Sequence, residues 1–415
     1  MADLIPIRGE LLINGAWTDV TSRIRGPHAI QIQDGSSAEQ SYLTSGSCSF
    51  SINNADGTFT DTNPYSPYMG QLGRNTQFRV GLKGTKYVRM IGNTTDAGAY
   101  DGARVYTADK AALDITGDID IRFDADCEDW IGSYGQILAG KWNGTTQQSW
   151  MLFTQQGGDI YFLSTTDGTL STGYLLGANY PNQAFATSGR QAIRVTWDVD
   201  NGAGANTVTW YKAATIAGPW TQVAQTTSAG TKTIYSGTAP LEVGTVNNGG
   251  GRYSPYAGVV PFIGKVYGFE LRSGINGTVV ASMDATGQAR NATTWADAYT
   301  NTWICDASAY VDDMDYRFWG ECAQLPQEWD TSGRDVWSPI QAGDLLQRLQ
   351  SGQRAFASPI YRNLVQWTRP NSTNAVAAAA APYVTGYWPM EDNVGAVKGR
   401  DASVSLSEFL SLIHI

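Results

Sequence analysis

The stretch that decides the fold is Asp118-Ile-Asp-Ile-Arg-Phe-Asp-Ala-Asp-Cys-Glu128, in which charged and apolar residues alternate. A period of two puts successive side chains on opposite faces of a β-strand, so this stretch predicts a strand over Asp118–Phe123, and the alternation continues to Glu128. Many short strands without a helical period predict a β-sandwich, here a jelly roll over residues 86–313. Its other predicted strands are Gln136–Gly140, Ser149–Thr154, Asp159–Ser164, Gln191–Asp198, Thr207–Ala213, Leu241–Val246 and Ile263–Leu271.

The two ends of the chain differ from the middle in their pattern of predicted strands and turns. Residues 1–85 predict a small antiparallel unit, with a hairpin turn at Asn14-Gly15 and an alternating strand at Gln77–Leu82. Tyr316–Ala323 predicts a further strand. Ser338–Gly352 predicts the one helix, because Ser338 can cap it, a proline occupies its first turn and a glycine can end it.

Composition excludes several classes of function. The chain has 415 residues with 28 basic and 38 acidic side chains, a net charge of −10, which disfavours non-specific nucleic-acid binding. It has two histidines, His28 and His414, which disfavours acid–base catalysis by histidine and histidine-rich metal sites. No segment approaches the ~20 apolar residues of a membrane span, and residues 1–6 lack the features of a signal peptide. We therefore expect neither membrane insertion nor secretion.

Two blocks of sequence resemble minor tail proteins of tailed bacteriophages. The first contains Glu10-Leu-Leu-Ile-Asn-Gly-Ala-Trp-Thr-Asp-Val20, Cys48-Ser-Phe-Ser-Ile-Asn-Asn-Ala-Asp-Gly57 and Asn63-Pro-Tyr-Ser-Pro-Tyr-Met-Gly-Gln-Leu-Gly-Arg-Asn-Thr76. The second runs from Tyr316-Arg-Phe-Trp-Gly-Glu-Cys-Ala-Gln-Leu-Pro-Gln-Glu-Trp-Asp330 to Ser358-Pro-Ile-Tyr-Arg362. The region between them resembles laminin-G and concanavalin-like jelly rolls, through Leu113–Phe123, Ala139–Asn143, Gly189–Gly202 and Gly218–Gln222.

The resemblance implies a tail base domain, residues 1–85 and 314–366, interrupted by an inserted sandwich over residues 86–313. An Ala-rich linker at 367–382 and the truncated start of a second jelly roll at 383–409 would follow. Residues 410–415, Leu-Ser-Leu-Ile-His-Ile, resemble a translated sequencing adapter, which implies that the natural protein is longer.

Aromatic residues beside turns are the candidates for glycan binding, because sugar rings stack on exposed aromatic rings and hydrogen-bond to nearby polar groups. They are Trp142, Trp220, Tyr253 and Tyr256, and Asn143 is the polar candidate beside Trp142. The alternative is that each loop aromatic covers an edge of the core, and aromatic residues inside strand patterns, such as Trp150, are expected to be core residues.

Paired carboxylates are the candidates for catalysis, since glycoside hydrolysis needs only two of them. Asp118 and Asp120 lie on one strand face, although a solvated outer face explains the alternation as well. No nucleophile motif accompanies His28, so no catalytic residue is assigned.

Calcium is the cofactor that the acidic loops could hold, through the 124–129 segment or Asp198-Val-Asp-Asn201. Asp and Asn also favour turns on their own, so no ligand is assigned. Cys48, Cys127, Cys305 and Cys322 lack metal-site spacing and predict buried free thiols.

These features and the resemblance imply a structural virion protein, assembled in the host cytoplasm. Its role would be tail-tip assembly and adsorption to the host surface, with other tail proteins, further copies of itself and a host glycan as partners. The alternatives are a hydrolase of the host envelope carried on the tail, and a glycan-binding module without a role in assembly.

Overall fold

The computed structural model describes residues 6–26, 30–33, 45–90, 102–132, 134–155, 157–170, 174–178, 188–247, 259–306, 309–333, 335–344, 398–400 and 408–410. The protein is mainly β, as the alternating segments predict. Helical structure among these residues is limited to short 3-10 turns, such as Thr21–Arg23 and Ala111–Leu113. No helix in the described ranges is long and apolar enough to cross a membrane.

The chain divides into two compact units. The larger unit contains residues 82–315 with the N-terminal segment up to Pro6, and the smaller unit contains residues 7–81 and the chain from Tyr316 onward. Both boundaries fall inside strands, because β5 (Gln77–Met90) and β21 (Tyr310–Gln324) each run through both units. These two strands are neighbours in one sheet, so the chain leaves the smaller unit and returns to it on adjacent strands.

The smaller unit is built on one antiparallel sheet with the strand order β2-β1-β5-β21-β23-β4-β3, in which β22 also pairs with β23. Its apolar residues, among them Leu11, Phe50, Phe78, Phe318 and Ile340, form one buried core. Phe50 stacks on Phe78 with ring centroids 4.4 Å apart. The remaining strands of this unit are β1 (Ile7–Ile13), β2 (Ala16–Asp19), β3 (Gln31–Gln33), β4 (Ser47–Asn53), β22 (Glu328–Trp329) and β23 (Val336–Gly343).

The larger unit is a β-sandwich. Its first sheet has the order β14-β13-β12-β7-β17-β5, with β18 on β17. The strands are β7 (Ile119–Cys127), β12 (Gly189–Asp198), β13 (Ala205–Ala213), β14 (Thr221–Ala229), β17 (Gly264–Ser273) and β18 (Thr278–Asp284).

Its second sheet has the order β11-β10-β9-β8-β15-β6-β20-β19, and β16 pairs with β8 in parallel. The strands are β6 (Arg104–Thr107), β8 (Gly135–Asn143), β9 (Gln147–Thr154), β10 (Ile160–Ser164), β11 (Tyr174–Ala178), β15 (Leu241–Val243), β16 (Val259–Pro261), β19 (Thr294–Ala296) and β20 (Thr302–Asp306).

The inner faces of the two sheets enclose the main core. The apolar positions of β7, including Ile121 and Phe123, are completely buried in it, as the alternation predicts. Phe162 of β10 meets Trp197 of β12 edge to face, with centroids 5.7 Å apart, and so joins the two sheets. The charged positions of β7 consequently face outward on the first sheet.

The predicted helix at Ser338–Gly352 is wrong over its described part, because Val336–Gly343 forms β23. Ser338, the expected helix cap, is completely buried and donates a hydrogen bond from Oγ to the carbonyl of Pro326. Pro339 lies opposite Ser51 in the pairing of β23 with β4. Pairing on both edges of β23 outweighs the local helical pattern, since strand preference depends on tertiary context.

The rest of that helix, the Ala-rich linker, His28 and His414 lie outside the described residues. Within residues 383–415 the structure describes β24 (Lys398–Arg400) and β25 (Glu408–Leu410), which pair with each other.

Candidate functional site

The outer face of the first sheet of the larger unit carries a row of polar and aromatic side chains. The strand register places Tyr211 of β13 opposite Arg194 of β12, Arg194 opposite Arg122 of β7, and Arg122 opposite Glu270 of β17. Arg194 lies with its guanidinium carbon 4.7 Å from the ring centre of Tyr211. The row therefore crosses four strands, with a cation–π contact at one end and a carboxylate at the other.

Asp120 lies two residues before Arg122 on the same face of β7 and accepts hydrogen bonds from both arginines of this row. Its carboxylate accepts two hydrogen bonds from Arg194, at 2.9 Å from Nε and 2.8 Å from Nη2, and two longer ones of 3.3 and 3.2 Å from Arg122. The backbone N–H of Asn276 donates a further bond of 3.1 Å. The Asn276 side-chain oxygen in turn accepts a bond of 2.8 Å from Arg194 Nη2.

This environment disfavours general acid catalysis by Asp120. Burial alone would raise the pKa of Asp120, but hydrogen bonds from Arg194 and Arg122 outweigh it and hold the pKa below its ordinary value. Asp118 accepts a hydrogen bond of 2.9 Å from the Val199 backbone N–H. Asp120 lies on the outer face of the sheet but is completely buried there, because Arg194 and Arg122 cover it.

Trp220 lies beside this row, at the end of the segment 214–220 that precedes β14. The segment is tied to the sheet by a hydrogen bond of 3.0 Å from the Ile216 N–H to Asp124. The Trp220 ring is half-buried, and the guanidinium carbon of Arg122 is 5.8 Å from its centre. Gly218 has φ of +85°, and a Cβ there would lie 3.1 Å from Trp220, so this close turn favours glycine.

We call this set the Trp220 cluster; it consists of Trp220, Tyr211, Arg122, Arg194, Asp120 and Asn276. Two half-buried aromatic rings stand beside guanidinium groups whose positions are fixed from below by one carboxylate. Such a surface can stack on a ring that has a flat apolar face and can donate hydrogen bonds to oxygens on that ring. Because its pKa is lowered, the carboxyl group of Asp120 is not a proton donor near neutral pH.

Sequence reasoning selected Trp220 and Asp120 and overlooked Tyr211, Arg194 and Asn276. Arg194 and Tyr211 occupy outward positions of alternating segments, so the period of two could have selected them. Asn276 comes from a turn between β17 and β18 with φ of +54°, for which the local pattern gives no reason to expect contact with Asp120.

Among the described residues, the other predicted glycan-binding residues, Trp142 and Asn143, do not join this cluster. Trp142 is completely buried in a second small core with Ile137 and Phe153, which does not fit a stacking surface. The register of β8 with β9 shifts beside Trp142, where Ser149 of β9 is the extra residue. Asn143 is half-buried at the end of β8, and Tyr253 and Tyr256 lie outside the described residues.

The acidic loops show turn-forming contacts where the structure describes them. Asp200 accepts a bond from the Gly202 N–H, Asn201 one from the Ala203 N–H, and Asp129 one from the Ile131 N–H. Within the described ranges, no group of three or more His, Cys, Asp or Glu side chains is placed to hold a metal ion. A calcium site stays a prediction without assigned ligands.

Comparison with known proteins gives distant structural similarities. No family model matches the sequence, and no curated protein matches it. The structure is similar to a native heptameric SAP-like pentraxin from Limulus polyphemus, with a TM-score of 0.35 and 6% identity over 55% of this chain and 95% of that one.

Two further similarities are to a carbohydrate-binding module and a phage protein. The CBM40 module of a Ruminococcus gnavus sialidase gives a TM-score of 0.27 and 14% identity, over 47% of this chain and 88% of that one. The enzymatically active domain of tailspike protein 2 from bacteriophage CBA120 gives 0.29 and 14%, over 60% of this chain and 29% of that one.

Proposed function

We propose that this chain is a structural protein of a phage tail that contributes to tail-tip assembly and to adsorption on the host surface. The observation that carries the proposal is the adjacency of β5 and β21 in one sheet. A chain that leaves and re-enters on neighbouring strands can carry an inserted domain without disturbing the domain that receives it. The two blocks that resemble minor tail proteins lie on either side of this excursion.

The larger unit then serves as the displayed part, and the Trp220 cluster as its glycan-binding surface. Trp220 replaces Trp142 as the stacking residue, because the Trp142 ring is completely buried. The guanidinium groups of Arg122 and Arg194 lie beside the two rings and supply donors for sugar hydroxyls. Binding of this kind needs no catalytic acid.

Adsorption to the host tests the proposal. The purified full chain, added to host cells before the phage that encodes it, is expected to reduce phage adsorption in a dose-dependent way. The variant Trp220→Ala should need at least a tenfold higher concentration for the same effect. Tyr134→Ala is the matched control, because Tyr134 is an aromatic residue of the same unit that is 58% exposed, and it should compete like the unchanged chain.

Immunogold labelling of the phage particle tests the assembly role. Antibody against the chain should decorate one end of the tail. Absence of label on the particles would contradict the structural role. Release of reducing sugar from host cell walls by the purified chain would favour the hydrolase instead.

A further inference from the structure

A buried arginine in the smaller unit is surrounded by aromatic rings. Arg79 of β5 is 2% exposed, and its guanidinium carbon lies 3.9 Å from the ring centre of Trp17, 4.8 Å from that of Tyr316 and 5.3 Å from that of Trp319. Its Nε donates a hydrogen bond of 2.7 Å to the buried carboxylate of Glu10. We call these five residues the Arg79 cluster.

The cluster lies on the face of the sheet opposite the core. Phe78 and Val80, the neighbours of Arg79 along β5, are both buried in the core of the smaller unit. Since side chains alternate along a strand, Arg79 points to the other face. The rings that cover it come from β2 and β21, which flank β1 and β5 in the sheet.

One donor of Arg79 lacks a partner. Its Nη1 is buried and makes no hydrogen bond, although Nε is paired with Glu10. A buried donor without an acceptor costs free energy, and more so when it is charged. The cation–π contacts with Trp17 and Tyr316 offset part of this cost but supply no acceptor oxygen.

Trp319 is the most exposed ring of the Arg79 cluster. It is 41% exposed and meets Trp17 edge to face, with centroids 5.3 Å apart and planes at 89°. Its indole N–H donates a long bond of 3.4 Å to the Gln77 side chain. Since Nη1 is buried, binding of an acceptor to it requires this indole to rotate.

We propose that the Arg79 cluster is a carbohydrate-binding site. A sugar ring combines a flat apolar face, which stacks on Trp319, with acceptor oxygens, one of which takes the free donor of Arg79. This site lies in the smaller unit and is separate from the Trp220 cluster, so it goes beyond the function proposed above.

Binding of the full chain to a saccharide array tests the proposal. The array should span neutral hexoses, N-acetylhexosamines and uronic acids. Trp319→Ala should weaken binding of at least one saccharide tenfold or more, and Trp319→Phe should retain most of it. Trp329→Ala is the control, because Trp329 is 66% exposed in the same unit and lies on β22. Unchanged thermal unfolding of each variant shows that the fold is intact.

The variant Trp220→Ala separates the two sites. A saccharide whose binding depends on Trp319 and is unaffected by Trp220→Ala supports the Arg79 cluster, whether or not the Trp220 cluster binds sugar. Absence of binding to every saccharide, or binding that Trp319→Ala leaves unchanged, overturns the proposal. A change in oligomeric state with Trp319→Ala, without any change in saccharide binding, would identify a protein interface instead and also overturn it.

Discussion

Arg194 and Asp120 form a two-point salt bridge on the outer face of the larger unit, with Nε–Oδ1 and Nη2–Oδ2 distances of 2.9 and 2.8 Å. Asp120 is completely buried and Arg194 is 7% exposed on its side chain. Buried ion pairs of this kind add little net stability over an apolar pair, but removing one partner leaves a buried charge without compensation.

Asp120→Asn is therefore expected to destabilise the protein by about 3 kcal/mol, since two arginines lose their shared carboxylate. Urea unfolding monitored by tryptophan fluorescence measures the change. Asp200→Asn is the matched control, because Asp200 is exposed in the same unit and its replacement should change stability by less than about 0.5 kcal/mol. Equal effects of the two substitutions would show that the Asp120 ion pairs do not hold the strand face together.

The contribution of Asp120 should depend on pH. Its pKa is below the ordinary value in the folded protein, so the stabilisation is complete above the pKa of the unfolded chain, about 3.9, and is lost as pH falls toward the folded pKa. The stability difference between the unchanged protein and Asp120→Asn should shrink between about pH 4 and pH 3. Urea titrations at pH 7, 5, 4 and 3 measure it, and a constant difference would contradict the assignment.

The cysteine thiols should be unreactive in the folded protein. Burial raises the pKa of Cys48, Cys127, Cys305 and Cys322 to about 12, which leaves almost no thiolate at pH 8. Ellman's reagent should titrate all four thiols in guanidinium and react slowly without it. The variant Tyr134→Cys supplies an exposed thiol as a positive control, and fast reaction of a native thiol would refute the expectation.

A side chain at Gly320 should lower the stability of the protein. A Cβ on this residue of β21 would lie 2.2 Å from the backbone oxygen of Gly343 on the paired strand β23. Gly320→Ala is expected to cost about 1–3 kcal/mol, because the two backbones must separate. Gly117→Ala is the control, since a Cβ there meets nothing within 4 Å. Thermal unfolding compares them, and equal melting temperatures would mean that the two strands are not in close contact.

The alternation of residues predicted the strands well and the surroundings of the side chains less well. Apolar positions on β7 such as Phe123 are completely buried, as the period of two requires. Asp120, on the opposite face, is equally buried, because Arg194 reaches it from the neighbouring strand. Pairing between distant strands sets this contact, and a single segment carries no information about its register.

The helix expected at 338–352 and the expected exposure of Trp142 do not occur in the described residues. Residues 338–352 contain helix-favouring residues, but Ser338, Ile340 and Ala342 are buried alternately along β23. Small residues such as Ser and Ala give only a weak alternation of apolar and polar residues along β23. The helical pattern of leucines further along is stronger and led to the wrong prediction. Trp142 is covered by residues of other strands, such as Phe153 of β9 and Leu163 of β10, and a single segment carries no information about these contacts.

The shared carboxylate of Asp120 also affects how this surface can change in evolution. Loss of Asp120 leaves two guanidinium groups uncompensated, and loss of either arginine removes part of the compensation for a buried carboxylate. Contacting residues of this kind have non-additive effects on stability. Related sequences should therefore keep Asp120, Arg122 and Arg194 as a set or replace them together, while Trp220 and Tyr211 can change one at a time.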